Sequence, residues 1–167
     1  MPVVVSDASV LICLGAIGQI RLLEEFYREV FIPDAVWREV AVASGLRAGG
    51  QETIEARRQG WLKVRTPGNR PLVALLQTKL DAGESEAIAL ASEVGASLLL
   101  MDESDGRAEA RSLGMQVAGT LGVLLKAKQD GKLPALKPLL DRLITQHSFR
   151  LSRSLYEQVI QEVGETP

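Results

Sequence analysis

Histidine, cysteine and aromatic residues are scarce in this chain of 167 residues, in which His147 is the only imidazole and Cys13 the only thiol. A single cysteine excludes a disulfide framework and an all-cysteine zinc site. A single histidine, in a Ser- and Arg-rich chain end, argues against Ser-His-Asp, Cys-His and multi-histidine metal chemistry. Aromatic residues make up 4% of the chain, too few for an extended base-stacking platform. The N-terminal MPVVVSDAS has no basic region leading into an apolar run, and no apolar stretch approaches the ~20 residues of a membrane helix. These absences lead to the expectation of a cytoplasmic protein with no membrane partner. Whatever chemistry it performs must come from carboxylates, hydroxyls and the backbone.

What is present is a chain with 46% hydrophobic residues. At this length a single domain buries roughly two-thirds of the surface of its unfolded form, so residues 1–167 are expected to form one domain. Val3, Val4 and Val5 read as a buried strand ending at Ser6 and Asp7, followed by helical patterns over 9–16 and 20–26. Val30 to Ile32 make a second strand. Pro33 stops it and opens a helix expected to run to about Ser44. A charged helix over 51–59 precedes an alternating edge strand at Leu62, Val64 and Thr66. Helices over 71–79 and 82–94 lead to a strand at Leu98–Met101 and a helix to about Leu113. A strand at 115–118 then gives way to a helical remainder, with Ser152 as a cap of the last helix. Strands alternating with helices at this spacing predict a three-layer α/β/α sandwich with a mainly parallel central sheet.

The net charge of −2 is unevenly distributed. Residues 1–106 carry 10 basic and 15 acidic side chains, residues 107–153 carry 9 and 3, and residues 154–167 carry 0 and 3. This pattern suggests an acidic site beside a basic ledge.

In open parallel sheets, sites lie beyond the carboxyl ends of strands, where Asp7 and Asp102 each directly follow an apolar strand. Either residue alone would be read as a helix cap; two strands ending the same way point to a site. Glu39 falls on the apolar stripe of its helix, with Ala35, Val36, Val40 and Ala43, where a carboxylate is costly unless paired or metal-bound. At 100° per residue, Glu84 lies roughly 50° and Glu86 roughly 110° from the centre of the stripe formed by Ala87, Ile88, Leu90, Ala91 and Val94. Glu84 is therefore the better inward candidate, with Glu86 retained beside it. Asp105 follows Asp102 by about one turn, as a possible further ligand or a solvated first-turn acid. Converging carboxylates raise one another's pKa, and a hard divalent cation with oxygen ligands, Mg²⁺ or Mn²⁺, resolves that conflict better than Zn²⁺. Two such ions activating a water and stabilising a leaving oxygen would amount to phosphodiester hydrolysis.

The blocks VVSDASVLI (4–12), PDAVWREV (33–40), LDAGESEAIALA (80–91), LLLMDESDGR (98–107), VAGTLGVLLKAK (117–128) and FRLSRSLYEQVI (149–160) resemble, in order, the PIN domain family, in particular its VapC-like toxin nucleases and relatives of unassigned function. The resemblance implies a PIN-like fold and an Mg²⁺- or Mn²⁺-dependent endoribonuclease. Asp7 and Asp102 would be metal ligands, Glu39 would bind metal-bound water or orient the attacking one, and Glu84 or Glu86 would complete the cluster. Ser9 would hold the Asp7 loop or a metal water. Asp105 stands where toxin relatives often carry a further acid. Thr120, in Gly-Thr-Leu-Gly, would cap its helix or donate to a water or phosphate. Arg107, with Arg111, is the candidate phosphate contact, whereas Lys126 and Lys128 read as a solvated helix face.

The expected partners are an RNA substrate, a cognate antitoxin and a second copy of the chain. The apolar stripe Leu155, Val159, Ile160 and Val163 is read first as packing on the chain's own core, with a contribution to the homodimer as the alternative. The competing reading is a PIN-fold module that binds RNA or a partner without cutting. A phosphatase of another α/β fold would need an Asp-x-Asp nucleophile pattern, which the strand ends lack.

Overall fold

The computed structural model describes residues 2–42 and 48–167. Among the described residues five strands, β1 (Val4–Ser6), β2 (Val30–Pro33), β3 (Leu62–Arg65), β4 (Leu98–Leu100) and β5 (Val117–Ala118), form one sheet in the order β3-β2-β1-β4-β5. Every pairing is parallel, and Val4 sits in register with Val30 on one side and Leu98 on the other. The expected three-layer α/β/α sandwich is the architecture observed, with β3 on an edge as its alternating sequence suggests.

Alternation along the strands divides the core. Val4, Val30, Ile32, Leu62 and Leu100 face one way. There they meet α1 (Ala8–Ala16), α2 (Arg21–Tyr27), α4 (Gly50–Gln59), α8 (Thr120–Gln129), α9 (Lys137–Gln146) and α10 (Arg153–Glu162). Val5, Leu99 and Met101 face the other way, against α5 (Arg70–Leu76), α6 (Ala82–Val94) and α7 (Ser104–Ser112). The period-2 geometry of a strand dictates this split, and near-continuous apolar strands are what a sheet covered on both faces requires.

One expectation changes in detail, and one pair of alternatives is decided. The helix opened by Pro33 is regular only over α3 (Asp34–Trp37), then widens into a π-helical turn at Arg38–Val42. Its expected continuation to Ser44 lies outside the described residues. Single π turns are uncommon and concentrate at functional sites; this one carries Glu39. In the C-terminal region, Val159 and Ile160 of α10 are buried in the chain's own core, so the stripe proposed for a homodimer is largely consumed by intramolecular packing. Ser152 caps α10 as expected, accepting from the Leu155 amide. Among the described residues, no helix is long and apolar enough to cross a membrane.

Candidate active site

The carboxyl ends of β1 and β4 lie side by side at the centre of the sheet, which brings together residues that are 95 positions apart in sequence. Asp7 ends β1 and opens α1: its carboxylate accepts the Val10 amide as a helix cap. It also accepts from the Ser9 hydroxyl, at 2.9 and 2.8 Å from the two oxygens. The same Ser9 oxygen accepts the Asp102 backbone amide at 3.3 Å. One hydroxyl thus joins the two strand ends.

Asp102 is held from the opposite side by Thr120. The Thr120 amide donates to Oδ1 at 2.7 Å, and its hydroxyl donates to Oδ2 at 2.6 Å. This corrects the capping expectation, because the N-cap of α8 is Gly119 and Thr120 is the first helical residue, buried and turned back toward Asp102. Gly119 is a glycine because there is no room for more: a Cβ would lie 2.5 Å from Asp102 Oδ1 and 2.8 Å from Arg107 Nη1. Arg107 donates to the Met101 carbonyl at 2.9 Å, so its guanidinium stands beside Asp102.

An open pocket of about 290 Å³ lies against these strand ends, lined by Asp7, Ala8, Ser9, Ile12, Glu39, Asp81, Gly83, Glu84 and Glu103. Among the candidate acids, Asp7, Glu39 and Glu84 therefore share one cavity. Asp81 and Glu103 join them without having been singled out in the sequence. Asp81 caps α6 through a capping box with Glu84, a local motif legible from the spacing D-A-G-E.

Glu86 is not part of this cavity. Its buried carboxylate accepts the Ala35 amide at 3.1 Å and lies 3.5 Å from Arg70 Nη2, so it holds the start of α3. Of the two acids, Glu84, the preferred inward candidate, lines the cavity, whereas Glu86, the more buried, points to the start of α3. Every residue from Ser85 to Ala91 is buried, so α6 is enclosed on nearly all sides and has no single apolar face. Asp105 is exposed and does not line the pocket, although its charge reaches Glu84. Lys126 pairs with Asp130 on the exposed face of α8, whereas Lys128, expected on the same solvated face, is largely covered and held by the Pro134 carbonyl and Glu165.

The electrostatics are strained toward protonation. Burial pushes the Asp7 carboxyl well above the ordinary range; Asp102 and Glu84 add like charge, and the Ser9 and Val10 hydrogen bonds oppose the rise. Glu84 is raised by burial and then by the Asp81, Glu103 and Asp105 charges. Burial, with Asp102 second, pushes the Cys13 thiol up to about 12. Cys13 is thus a neutral thiol packed beside Asp102 and Thr120, a neighbour the sequence did not reveal.

The donor chemistry fits a hard divalent cation: the pocket offers oxygen ligands only, Asp7 and Glu84 are under like-charge stress, and Asp7 Oδ2, which accepts from Ser9 alone, retains a lone pair for it. The acids are not gathered into a finished cage, since no group of three or more His, Cys, Asp or Glu side chains is placed to hold a metal ion among the described residues.

Comparison with known proteins covers nearly the whole chain. A family model described as PIN domain matches residues 3–165. A PilT N-terminus domain protein from the hyperthermophilic archaeon Sulfolobus solfataricus P2 is similar in structure, with a TM-score of 0.56 and 23% identity, over 74% of this chain and 92% of that one. At that identity the likeness is one of fold. A curated 6,7-dimethyl-8-ribityllumazine synthase from Leifsonia xyli subsp. xyli is 33% identical over 76 residues, 46% of this chain. The chain spans about half, 48%, of that relative's length.

Proposed function

From the chain's membership of the PIN domain family, a fold that typically serves nucleases, we propose that it is an Mg²⁺- or Mn²⁺-dependent endoribonuclease, the toxin of a toxin–antitoxin pair acting in the cytoplasm. The observation that supports this most directly is the pairing of Asp7 and Asp102 at adjacent strand ends through Ser9. When bound, the divalent ion supplies water activation and charge neutralisation at the phosphodiester. Asp7, Asp102 and Glu84 would hold it, with Glu39 at the pocket wall orienting the attacking water. Ser9 fixes the Asp7 carboxylate. Arg107, half-buried and tied to Met101, presents its guanidinium to the substrate phosphate, where a bidentate planar donor is suited to the task. Arg111, one turn further along α7, extends that contact along the RNA backbone.

An antitoxin that inhibits such a site would place a basic segment over the acidic pocket, because that charge is what the pocket lacks. Co-purification with a short, basic neighbouring gene product supports this partner, and full activity in its presence argues against it.

The test is cleavage of structured RNA by the pure protein with Mg²⁺ or Mn²⁺, alongside Asp7→Asn and Asp102→Asn. Loss of cleavage in both variants, with relief of growth arrest on expression, is the expected result; unchanged cleavage by Asp7→Asn overturns the reading. The dispersed placement of the acids favours one alternative, a module that binds RNA or a partner without cutting. Calorimetry separates the two: RNA binding without Mg²⁺ or Mn²⁺ binding belongs to the alternative.

A further inference from the structure

Thr120 lies 18 residues beyond Asp102, on the far side of β5, yet gives both of its donors to that one carboxylate. The two bonds, at 2.7 and 2.6 Å, grip Oδ1 and Oδ2 separately. A single hydrogen bond leaves a carboxylate free to rotate about its terminal torsion, which is a broad two-fold well. Two bonds to its two oxygens remove that freedom. The geometry is not that of ordinary helix capping, because a capping hydroxyl accepts from amides of its own first turn. The hydroxyl here donates away from the helix. Thr120 is fully buried, so water does not compete for either bond. Gly119 keeps the approach open, since any Cβ there would meet Asp102 and Arg107. On the other side, Ser9 accepts the Asp102 amide, which fixes the backbone from which the side chain projects.

We infer that Thr120 is a positioning residue: its amide and hydroxyl clamp the Asp102 carboxylate in the orientation that a divalent cation and substrate require. The inference rests on the proposed nuclease reading and deepens it, by assigning the preorganisation of Asp102 to the start of α8 and not to the strand that carries it. The amide bond survives any substitution at Thr120. The hydroxyl is the removable half of the clamp, and it distinguishes Thr120→Val, which keeps the shape, from Thr120→Ser, which keeps the donor.

The experiment is Mn²⁺ titration by calorimetry of the wild type, Thr120→Val and Thr120→Ser, with thermal unfolding and RNA cleavage measured on the same samples. Removing a group that orients a metal ligand typically costs about 10- to 100-fold in metal affinity or activity. The expected result is a loss of that size in Mn²⁺ affinity and in kcat for Thr120→Val, with KM for RNA little changed and Thr120→Ser close to wild type. Should Thr120→Val fail to fold, Thr120→Ala carries the same comparison against Thr120→Ser. Wild-type Mn²⁺ affinity and kcat in the folded hydroxyl-less variant overturn the positioning role and leave the nuclease reading standing. Equal losses in Thr120→Ser and Thr120→Val also overturn it, since the hydroxyl is then not the cause. A wild type that binds Mn²⁺ but cuts no RNA overturns the nuclease reading alone, and the affinities of the variants still decide the clamp. A wild type that binds no Mn²⁺ overturns both.

Discussion

Ser9 and Asp102 are joined by a hydrogen bond that spans 93 positions of sequence: the Ser9 oxygen accepts the Asp102 amide while its proton serves Asp7. Replacing Ser9 with Ala removes both links at once. The expected cost is about 1 kcal/mol of stability per lost hydrogen bond. The Asp7 carboxyl should rise further, because the Ser9 bond is the largest influence lowering it. RNA cleavage should fall and its pH profile move to higher pH, which pH-dependent kinetics on Ser9→Ala will show.

Asp7 itself should make the metal-free protein sensitive to pH. Its folded-state pKa lies well above the unfolded value of about 3.9. The folded state therefore binds the extra proton, and the stability this confers is fully present below about pH 4 and lost as pH rises through the folded pKa. Thermal melts without divalent cation should fall across that interval and be flatter in Asp7→Asn. At neutral pH, Mn²⁺ should restore stability by mass action, about 2.7 kcal/mol at a hundredfold excess over Kd, and Asp7→Asn should respond less.

Glu84 and Glu86, two residues apart, should behave in opposite ways. Glu86→Ala leaves the buried Ala35 amide unpaired, an expected cost of about 1–3 kcal/mol, with Mn²⁺ affinity of the folded protein unchanged. Glu84→Gln should weaken Mn²⁺ binding with little change in melting temperature. Calorimetry and thermal unfolding on the two variants test the division directly.

That contrast marks where the sequence was legible and where it was not. β1, β2 and β4 were readable because each is a short apolar run stopped by a polar residue or Pro33, and β3 because its residues alternate; the ends at Asp7 and Asp102 followed from the same pattern. The inward side of α6 was not, because periodicity locates a face only when the opposite face meets water. Burial of Ser85 to Ala91 erases that contrast. The Asp102–Thr120 contact was invisible for another reason: it crosses β5 and depends on tertiary placement, and no spacing rule connects a strand-end acid to the first residue of a later helix. Glu39 was found from its place on an apolar stripe, even though the regular helix assumed in that argument gives way to a π turn.

Arg107→Ala should weaken RNA binding and reduce the slope of log affinity against log salt by about one, as the loss of a single phosphate contact does. Lys126→Ala should change neither quantity much, since Lys126 is occupied by Asp130 and the Phe26 ring. Salt-dependent binding of a short RNA to the two variants discriminates between a contact and a solvated surface charge.

Gly119→Ala should be harmful out of proportion to one methyl group. Overpacking typically costs about 1–3 kcal/mol, and here the methyl would meet an oxygen of Asp102 and a nitrogen of Arg107. A lowered melting temperature together with reduced Mn²⁺ affinity is the expected pair of results.

The sheet order β3-β2-β1-β4-β5 has a consequence for synthesis. The N-terminal strand occupies the centre, and its neighbour β4 emerges from the ribosome only after most of the chain has been made. Asp102 and its clamp Thr120 come later still. A nascent chain that already contains Asp7, Glu39 and Glu84 therefore has half of its central strand pairing missing and no second strand-end acid. For an enzyme proposed to cut RNA, the topology orders the assembly of the site: Asp7, Glu39 and Glu84 are made first, and the arrangement is complete only after Asp102 and Thr120 have followed and β4 has paired with β1.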